Sequence, residues 1–260
     1  MTFQLLISAV DKNASKLVAK MNVKTDAVLV NQCDDDTVLT IENLGKTIKV
    51  INQSKRGVGL SRNTALENTN ADICLFSDED IVYEDGYEKK ILEAFDKYKD
   101  ASVITFNFDV DERRRTYINE NEHQVKWYNY GRYPAYAIAV KREDIVKAKI
   151  RYSLYFGGGA KYSNGEDSLF LHDCLKKKLK IYAVTDKLGY EEYRESTWFK
   201  GYTDKFFFDR GVLYHFLYGK MATVFGARFL LNNRNTMLKE IGFRKAFLLL
   251  IQGINEGKTL

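Results

Sequence analysis

The sequence of 260 residues is poor in proline, cysteine and histidine, and each shortage excludes a class of protein. A single proline, Pro134, excludes a proline-rich linker. The three cysteines, Cys33, Cys74 and Cys174, form no C-x-x-C pair, which argues against a structural zinc site and a disulfide framework. The three histidines form no H-x-x-x-H pair that could hold a metal. We therefore expect a protein of a reducing compartment whose chemistry depends on other side chains.

Long apolar runs are missing as well. The longest, residues 246–251, falls far short of the roughly 20 residues that a membrane-spanning helix needs. Residues 1–7 lack the basic region and long apolar core of a secretion signal. We therefore expect a cytoplasmic location, with peripheral attachment to the inner face of the plasma membrane as an option.

Apolar residues make up 45% of the chain and aromatic residues 13%, so the chain can bury a core and is not disordered. The net charge of +5 is concentrated in residues 219–260, which hold seven basic and two acidic residues. Residues 1–218 are therefore neutral overall, and we expect no nucleic-acid partner. The apolar stretches 221–231 and 241–254 carry interspersed Arg and Lys. They predict helices that either lie on an anionic membrane surface, through residues 219–254, or pack on the rest of the protein.

Strand-like and helix-like runs alternate over the first 110 residues, which predicts βαβ units and a mainly parallel sheet with ligands at the carboxyl ends of its strands. From about residue 203 the pattern is helical and rich in aromatic residues, which indicates a C-terminal extension. The predicted strands are 3–10, 27–31, 47–51, 72–76, 102–108, 135–140 and 180–184. The predicted helices are 14–21, 60–66, 86–98 and 166–177, and residues 109–132 are expected to form a long loop or hairpin.

Three polar clusters follow predicted strands, at residues 34–36, 55–63 and 78–80, and could line one cleft. The acids of the last cluster follow an apolar run, so they form either an acidic turn or a site for a divalent cation. Its two aspartates, Asp78 and Asp80, are two residues apart and project to the same side of an extended chain. In the middle cluster, Gly57 and Gly59 precede a helix, where they either allow an anion to approach the backbone or only shape a turn.

A further cluster spans residues 157–168, with three glycines followed by an acid pair, Glu166 and Asp167, at the start of a helix. Glycines permit a tightly turned loop that could contact a substrate. The acids could cap the helix, or one of them could deprotonate an incoming hydroxyl. The residues alone leave both options open.

In their order, these motifs resemble the inverting family 2 glycosyltransferases of the GT-A fold, over about residues 1–215. The resemblance rests on residues 29–35, on G-L-S-R-N-T-A-L at 59–66, on the D-x-D at 78–80 and on G-E-D at 165–167. It implies an α/β fold of the nucleotide-diphospho-sugar transferase type, with a Rossmann-like sheet flanked by helices. Two features depart from the family pattern: the first strand is not followed by a proline-containing turn, and no tryptophan precedes Gly165.

The resemblance also implies roles for particular residues. Asp167 would be the catalytic base, with Glu166, Gly158 and Gly159 on the acceptor. Mn²⁺ or Mg²⁺ would be bound by Asp80 and Asp78. The nucleotide-sugar would be contacted by Ala9, Asp11, Asp34, Arg56, Arg62, Asp78, Ser196 and Thr197.

The expected function is transfer of a sugar from a nucleotide-sugar, with UDP as the expected nucleotide, to a hydroxyl of a saccharide or lipid-linked saccharide in cell-surface polysaccharide synthesis. Residues 1–110 would form the nucleotide-sugar half, 111–215 the acceptor half and 216–260 a basic amphipathic tail. The alternatives are a nucleotidyltransferase that makes a nucleotide-sugar, and a nucleotide-sugar-binding protein without activity.

Overall fold

The structure, a computed structural model, describes residues 1–112, 115, 117–192 and 201–260. Within these residues the chain divides into two compact units. The first contains residues 1–154 and 166–192, and the second contains residues 155–165 and 201–260. The boundary predicted between residues 215 and 216 falls inside a helix of the second unit.

One mixed sheet of ten strands forms the centre of the first unit, counted over the described residues. The strands lie in the order β3-β4-β2-β1-β5-β9-β7-β10-β6, and β8 pairs with β10. Their bounds are β1 Phe3–Val10, β2 Ala27–Gln32, β3 Val38–Asn43, β4 Lys46–Gln53, β5 Ile73–Asp78, β6 Ile81–Tyr83, β7 Val103–Asp109, β8 His123–Gln124, β9 Ile138–Lys141 and β10 Ile181–Glu191.

The middle of the sheet follows the sequence-based prediction. Strands β4, β2, β1 and β5 are neighbours and run parallel, and β10 is parallel to β7. Strands β2 and β5 are buried over almost their whole length, which explains why they read as continuous apolar runs. The sheet is nevertheless more mixed than the sequence indicates, because β9 lies antiparallel between β5 and β7.

Strand β3 is absent from the sequence-based prediction. It pairs antiparallel with β4 at the edge of the sheet, and most of its side chains are exposed. The hairpin turns at Leu44 and Gly45, both with positive φ. A strand at an edge needs no apolar face, so β3 carries no hydrophobic pattern that would reveal it.

Five helices of the first unit are described: α1 Ala14–Lys20, α2 Val58–Glu67, α3 Tyr87–Lys97, α4 Arg142–Lys147 and α5 Glu166–Lys176. Helix α3 shows how the pattern produces the fold. Its buried residues Tyr87, Ile91, Ala94 and Phe95 repeat every three or four positions and join the core between sheet and helix. This helix and α5 lie where the sequence predicted them.

The second unit contains three helices among its described residues, α6 Asp204–Tyr218, α7 Ala222–Asn232 and α8 Phe243–Gly257. Helices α6 and α8 approach closely because glycines face the other helix's backbone. A Cβ on Gly211 would lie 2.1 Å from the Leu250 carbonyl oxygen, and one on Gly253 would lie 2.0 Å from that of Phe208. No helix in the described part of the chain is both long enough and apolar enough to cross a membrane.

Candidate active site

The carboxyl ends of β1, β2 and β5 meet at one edge of the sheet. Ser8 pairs with Asp78 across β1 and β5, and Ala9 pairs with Asn31 across β1 and β2. This register brings the residues that follow these strands together. The structure thus places Ala9, Asp11, Asp34 and Asp78 along one edge, as parallel strands require.

Arg56 connects two of these residues. Its guanidinium donates to the Asp11 carboxylate at 3.1 Å and to Asp34 Oδ1 at 3.3 Å. The two carboxylates raise the pKa of Arg56 through these hydrogen bonds. All three side chains are exposed, so the ion pairs contribute little to stability but form a polar surface that a ligand can reach.

Glu79, the middle acid of the D-x-D segment, was given no role by sequence reasoning. Its Oε2 accepts the Val10 amide hydrogen at 2.8 Å, and its Oε1 lies 3.4 Å from Lys12 Nζ. The side chain therefore fixes the backbone at the end of β1. The direction of this side chain depends on the pairing of β1 with β5, which the local sequence does not reveal.

Arg62 is the central charge of the site. It is buried on α2, its Nη2 donates to Asp78 Oδ1 at 2.8 Å, and its Nη1 donates to Glu166 Oε1 at 2.9 Å. Burial alone would lower the pKa of Arg62, but the charges of Asp78 and Glu166 outweigh burial and raise it. The guanidinium thus stays charged and connects the end of β5 to the start of α5.

Tyr152 lies under the Arg62 guanidinium, with 5.2 Å between the Arg62 Cζ and the ring centroid, and its ring stacks on Phe170 at 4.4 Å. Helix α2 holds this tyrosine by its backbone. The Asn63 side chain accepts the Tyr152 amide hydrogen at 2.8 Å and donates to the Tyr152 carbonyl at 2.9 Å. Sequence reasoning noted Asn63 only as part of a motif and missed Tyr152, whose contact depends on residues almost ninety positions apart.

Gly59 permits this close contact between α2 and the segment after α4. A Cβ there would lie 2.2 Å from the Ser153 carbonyl oxygen, closer than real contacts allow. The glycine is therefore required by backbone approach within the protein.

Asp167 follows Glu166 in the first turn of α5 and accepts the Ser168 amide hydrogen on Oδ1 at 2.6 Å. Burial of the carboxyl, aided by the negative charge of Glu166, raises the pKa of Asp167 to about 7. The Ser168 hydrogen bond and the Arg62 charge lower it only in part. A carboxyl with a pKa near neutrality can take up and release protons at physiological pH.

Asp80 is largely buried, and its backbone carbonyl accepts the Glu192 amide hydrogen at 2.8 Å. Tyr136 is close to the same acids. Burial raises the pKa of Tyr136, and the negative charges of Glu191, Asp78 and Asp80 raise it further. The Tyr136 hydroxyl therefore stays protonated. No signal in the sequence pointed to Tyr136. The described residues contain no group of three Asp, Glu, His or Cys side chains arranged to hold a metal on their own.

Gly158 and Gly159 lie in the second unit, in a loop closed by hydrogen bonds from Gly157 N to Tyr162 O and from Tyr162 N to Tyr155 O, both 2.9 Å. Gly159 has a φ of +80°, which a residue with a side chain rarely adopts. The loop is therefore a defined turn. The two remaining predicted residues, Ser196 and Thr197, lie outside the described residues.

The fold has a counterpart among solved structures. The chain matches the S. aureus TarS fragment 1–349 in complex with UDP-GlcNAc with a TM-score of 0.66 and 14% identity, over 99% of this chain and 80% of that chain. The same fragment in complex with UDP matches with a TM-score of 0.63 and 15% identity, over 98% and 82% of the two chains. The expected GT-A type of α/β fold with C-terminal helices is thereby confirmed.

The sequence gives the family. Residues 15–149, just over half of the chain, match the model of the family described as Glycosyl transferase family 2. Comparison with curated protein sequences gives no match. The chain belongs to glycosyl transferase family 2, as its motifs indicated.

Proposed function

We propose that this protein transfers a sugar from a UDP-linked donor to a hydroxyl group of a saccharide or lipid-linked saccharide, with inversion at the anomeric carbon. The observation that carries the proposal is the arrangement around Arg62. One guanidinium connects Asp78, at the donor end of the sheet, to Glu166, which directly precedes a carboxyl with a pKa of about 7. UDP as the nucleotide is supported by the UDP and UDP-GlcNAc complexes of the TarS fragment.

In this proposal Asp167 is the catalytic base. When ionised, it accepts the proton of the acceptor hydroxyl as the oxygen attacks the anomeric carbon. The new carbon–oxygen bond forms on the face opposite the breaking bond to UDP, and UDP leaves with the bonding electrons. A single displacement inverts the configuration and needs no covalent enzyme intermediate. The group's pKa suits this role because the base is partly ionised at neutral pH yet basic enough to take a proton.

Two regions of the strand edge bind the donor in this proposal. Asp11, Asp34 and Arg56 form the exposed polar surface that meets the nucleotide, next to Ala9. Arg62 is buried with both terminal nitrogens on carboxylates, so we assign it to positioning Asp78 and Glu166 in place of direct nucleotide contact. Ser196 and Thr197 remain predicted donor contacts.

The donor set near Asp80 fits a Mg²⁺ or Mn²⁺ ion that completes its ligands from the substrate. These ions commonly take one or two protein carboxylates, with diphosphate and water in the other positions. Asp80 and Asp78 supply two carboxylates, and three or more protein ligands are not grouped in the described chain. When bound, the ion would stabilise the negative charge that develops on the leaving UDP.

The acceptor would meet the protein near Glu166, and we keep Gly158 and Gly159 as predicted acceptor contacts. A lipid-linked acceptor in cell-surface polysaccharide synthesis is supported by the outward faces of α7 and α8. These faces combine exposed apolar side chains with basic ones, as interfacial helices do. The apolar members are Val224 and Leu231 on α7 and Phe243 and Leu248 on α8, with Met221 directly before α7. The nearby basic residues are Lys220, Arg228, Arg234, Arg244 and Lys245.

The test of the activity measures UDP release from a panel of UDP-sugars with and without Mn²⁺. We expect metal-dependent release that Asp80→Asn and Asp167→Asn reduce at least a hundredfold, consistent with the size of general base and metal contributions. Asp96→Asn, at an exposed position on α3, is the matched control and keeps full activity. Release of pyrophosphate from UTP would identify a nucleotidyltransferase instead, and full transfer activity in Asp167→Asn would refute the assignment of the base.

The test of the membrane face uses flotation with vesicles of phosphatidylglycerol and phosphatidylcholine. Val224 and Leu231 are 57% and 54% exposed on α7, so glutamates there can be accommodated without disturbing the helix core. We expect the pair Val224→Glu and Leu231→Glu to lose flotation. Val146→Glu, at a 51% exposed valine on α4, should float like the wild type. Equal flotation of all three proteins would rule out a membrane role for this face.

A further inference from the structure

Two large aromatic side chains of the first unit are exposed side by side. Trp127 is 67% exposed and Tyr128 is 70% exposed, with ring centroids 5.6 Å apart and ring planes at 88°. Both sit on the loop after β8, residues 125–133. Burial of aromatic side chains of this size is energetically favourable. An exposed pair of them therefore marks a candidate contact surface.

The loop that carries them is held in one conformation. Val125, Tyr130 and Tyr133 are buried, and the Val125 amide donates to the Ile181 carbonyl at 2.8 Å. Between these anchors, Asn129 closes the turn. Its side chain accepts the Lys126 amide hydrogen at 2.7 Å, and its own amide donates to the Lys126 carbonyl at 3.2 Å. The two exposed rings are therefore presented on a preformed turn, which lowers the entropy cost of binding.

The loop packs against the start of α5, where the proposed base lies. A Cβ on Gly131 would be 3.7 Å from Ser168 Oγ, and Ser168 donates its amide hydrogen to Asp167. The Tyr130 ring lies 5.9 Å from His172, one turn further along the same helix. Gly131 follows Trp127 by four positions, and such a segment spans at most about 14 Å. An oligosaccharide of a few units covers that distance.

We propose that Trp127 and Tyr128 form a subsite for the acceptor, binding a sugar ring some units away from the hydroxyl that reacts. The proposal rests on the proposed function and names its acceptor class as an oligosaccharide. A sugar ring has apolar C–H faces and polar edges. An exposed aromatic ring offers a matching apolar face, and the indole N–H and phenol O–H can bond to the hydroxyls at the edge.

The binding test uses tryptophan fluorescence. The chain has only two tryptophans, so in a Trp198→Phe background all the tryptophan emission comes from Trp127. The probes are hexasaccharides of β-linked glucose, N-acetylglucosamine and galactose. We expect at least one of them to change the emission in a saturable way in the millimolar range or below, while the corresponding monosaccharide does not. No saturable change with any of the three hexasaccharides would overturn the proposal.

The kinetic test uses the double variant Trp127→Ala/Tyr128→Ala and the hexasaccharide that binds. We expect KM for this acceptor to rise about tenfold, which corresponds to about 1.4 kcal/mol of lost binding. UDP-sugar hydrolysis without acceptor should be unchanged, because the donor edge is intact. Trp127→Phe/Tyr128→Phe should restore an acceptor KM near that of the wild type. Phe216→Ala, which removes a 37% exposed aromatic on α6, should leave KM unchanged.

The outcomes separate the two proposals. If the wild type does not release UDP from any UDP-sugar, the proposed function fails. Saccharide binding at Trp127 is then still tested by fluorescence, which does not depend on transfer activity. If UDP-sugar is used and the double variant has an unchanged acceptor KM, only the subsite fails. If the double variant instead loses flotation with anionic vesicles, the aromatic pair is a lipid contact and the subsite is refuted.

Discussion

Replacing Asp167 by asparagine should stabilise the protein while it abolishes transfer. The substitution keeps the shape of the side chain, and the asparagine oxygen can still accept the Ser168 amide hydrogen. The substitution also removes the carboxyl, which is ionised above neutral pH although its burial and the negative charge of Glu166 both oppose ionisation. Most substitutions of partly buried polar residues lower the free energy of unfolding, whereas this one is expected to raise it.

The size of the effect follows from the pKa of Asp167. It lies at about 7, against an ordinary value of 3.8, and a difference of about 3 units corresponds to about 4 kcal/mol. Between about pH 4 and pH 7 the folded protein binds more protons than the unfolded chain. The free energy of unfolding therefore falls as the pH rises through this window. We expect Asp167→Asn to be more stable than the wild type by about 4 kcal/mol at pH 8 and by about 2 kcal/mol at pH 5.

Urea unfolding at the two pH values measures both gains, and UDP release at pH 8 measures the loss of transfer. Asp209→Asn is the matched control, because Asp209 is also buried but accepts hydrogen bonds from Ser163 and Lys205. Removing its charge should lower stability by roughly 1–3 kcal/mol. A destabilised Asp167→Asn, or a gain of equal size at pH 5 and pH 8, would refute the account of this carboxyl.

Three further predictions concern the same region. The rate constant kcat/KM should have an acidic limb near pH 7, because Asp167 accepts a proton only when ionised. Glu166→Gln should move this limb to lower pH, because the negative charge of Glu166 raises the pKa of Asp167. An unmoved limb would contradict this effect of Glu166. Arg62→Met should lower the free energy of unfolding by about 3–5 kcal/mol, because it leaves the carboxylates of Asp78 and Glu166 without their counter-charge. A loss below about 1 kcal/mol in urea unfolding would exclude a stabilising role for Arg62. Gly59→Ala should cost about 1–3 kcal/mol through its clash with a backbone carbonyl, whereas Gly131→Ala, with only an ordinary contact, should be nearly neutral in thermal unfolding.

Local pattern was sufficient for the elements whose side chains face a core. The buried strand β5 and the amphipathic helix α3 appear in the sequence as an apolar run and as a repeat of every three or four residues. The acids at Asp78 and Asp80 could be placed at a strand end because a buried strand excludes free carboxylates. The hairpin strand β3 could not be found, since its exposed residues have no periodicity.

The interior of the candidate site could not be read locally. The role of Glu79 depends on which strand lies beside β5, and the contact of Asn63 with Tyr152 joins residues 89 positions apart. The same holds for Arg62, for which the family resemblance implied a nucleotide contact. In the structure, both of its terminal nitrogens donate to carboxylates, which only the tertiary packing brings beside it. Motifs predicted some of the residues that come together, such as Asp11, Asp34 and Asp78, whereas the contacts of each side chain follow from the packing.

Strand β9 has a consequence for synthesis of the chain. Strand β5 ends at Asp78, but the neighbour that covers its second edge, Ile138–Lys141, is made about sixty residues later. On the ribosome β5 therefore keeps one row of unpaired amide and carbonyl groups while the intervening chain emerges. Such an edge can pair with other chains. The nascent chain can therefore pair with other chains through this edge until residues 138–141 emerge, and a chain that terminates before residue 138 keeps the edge open.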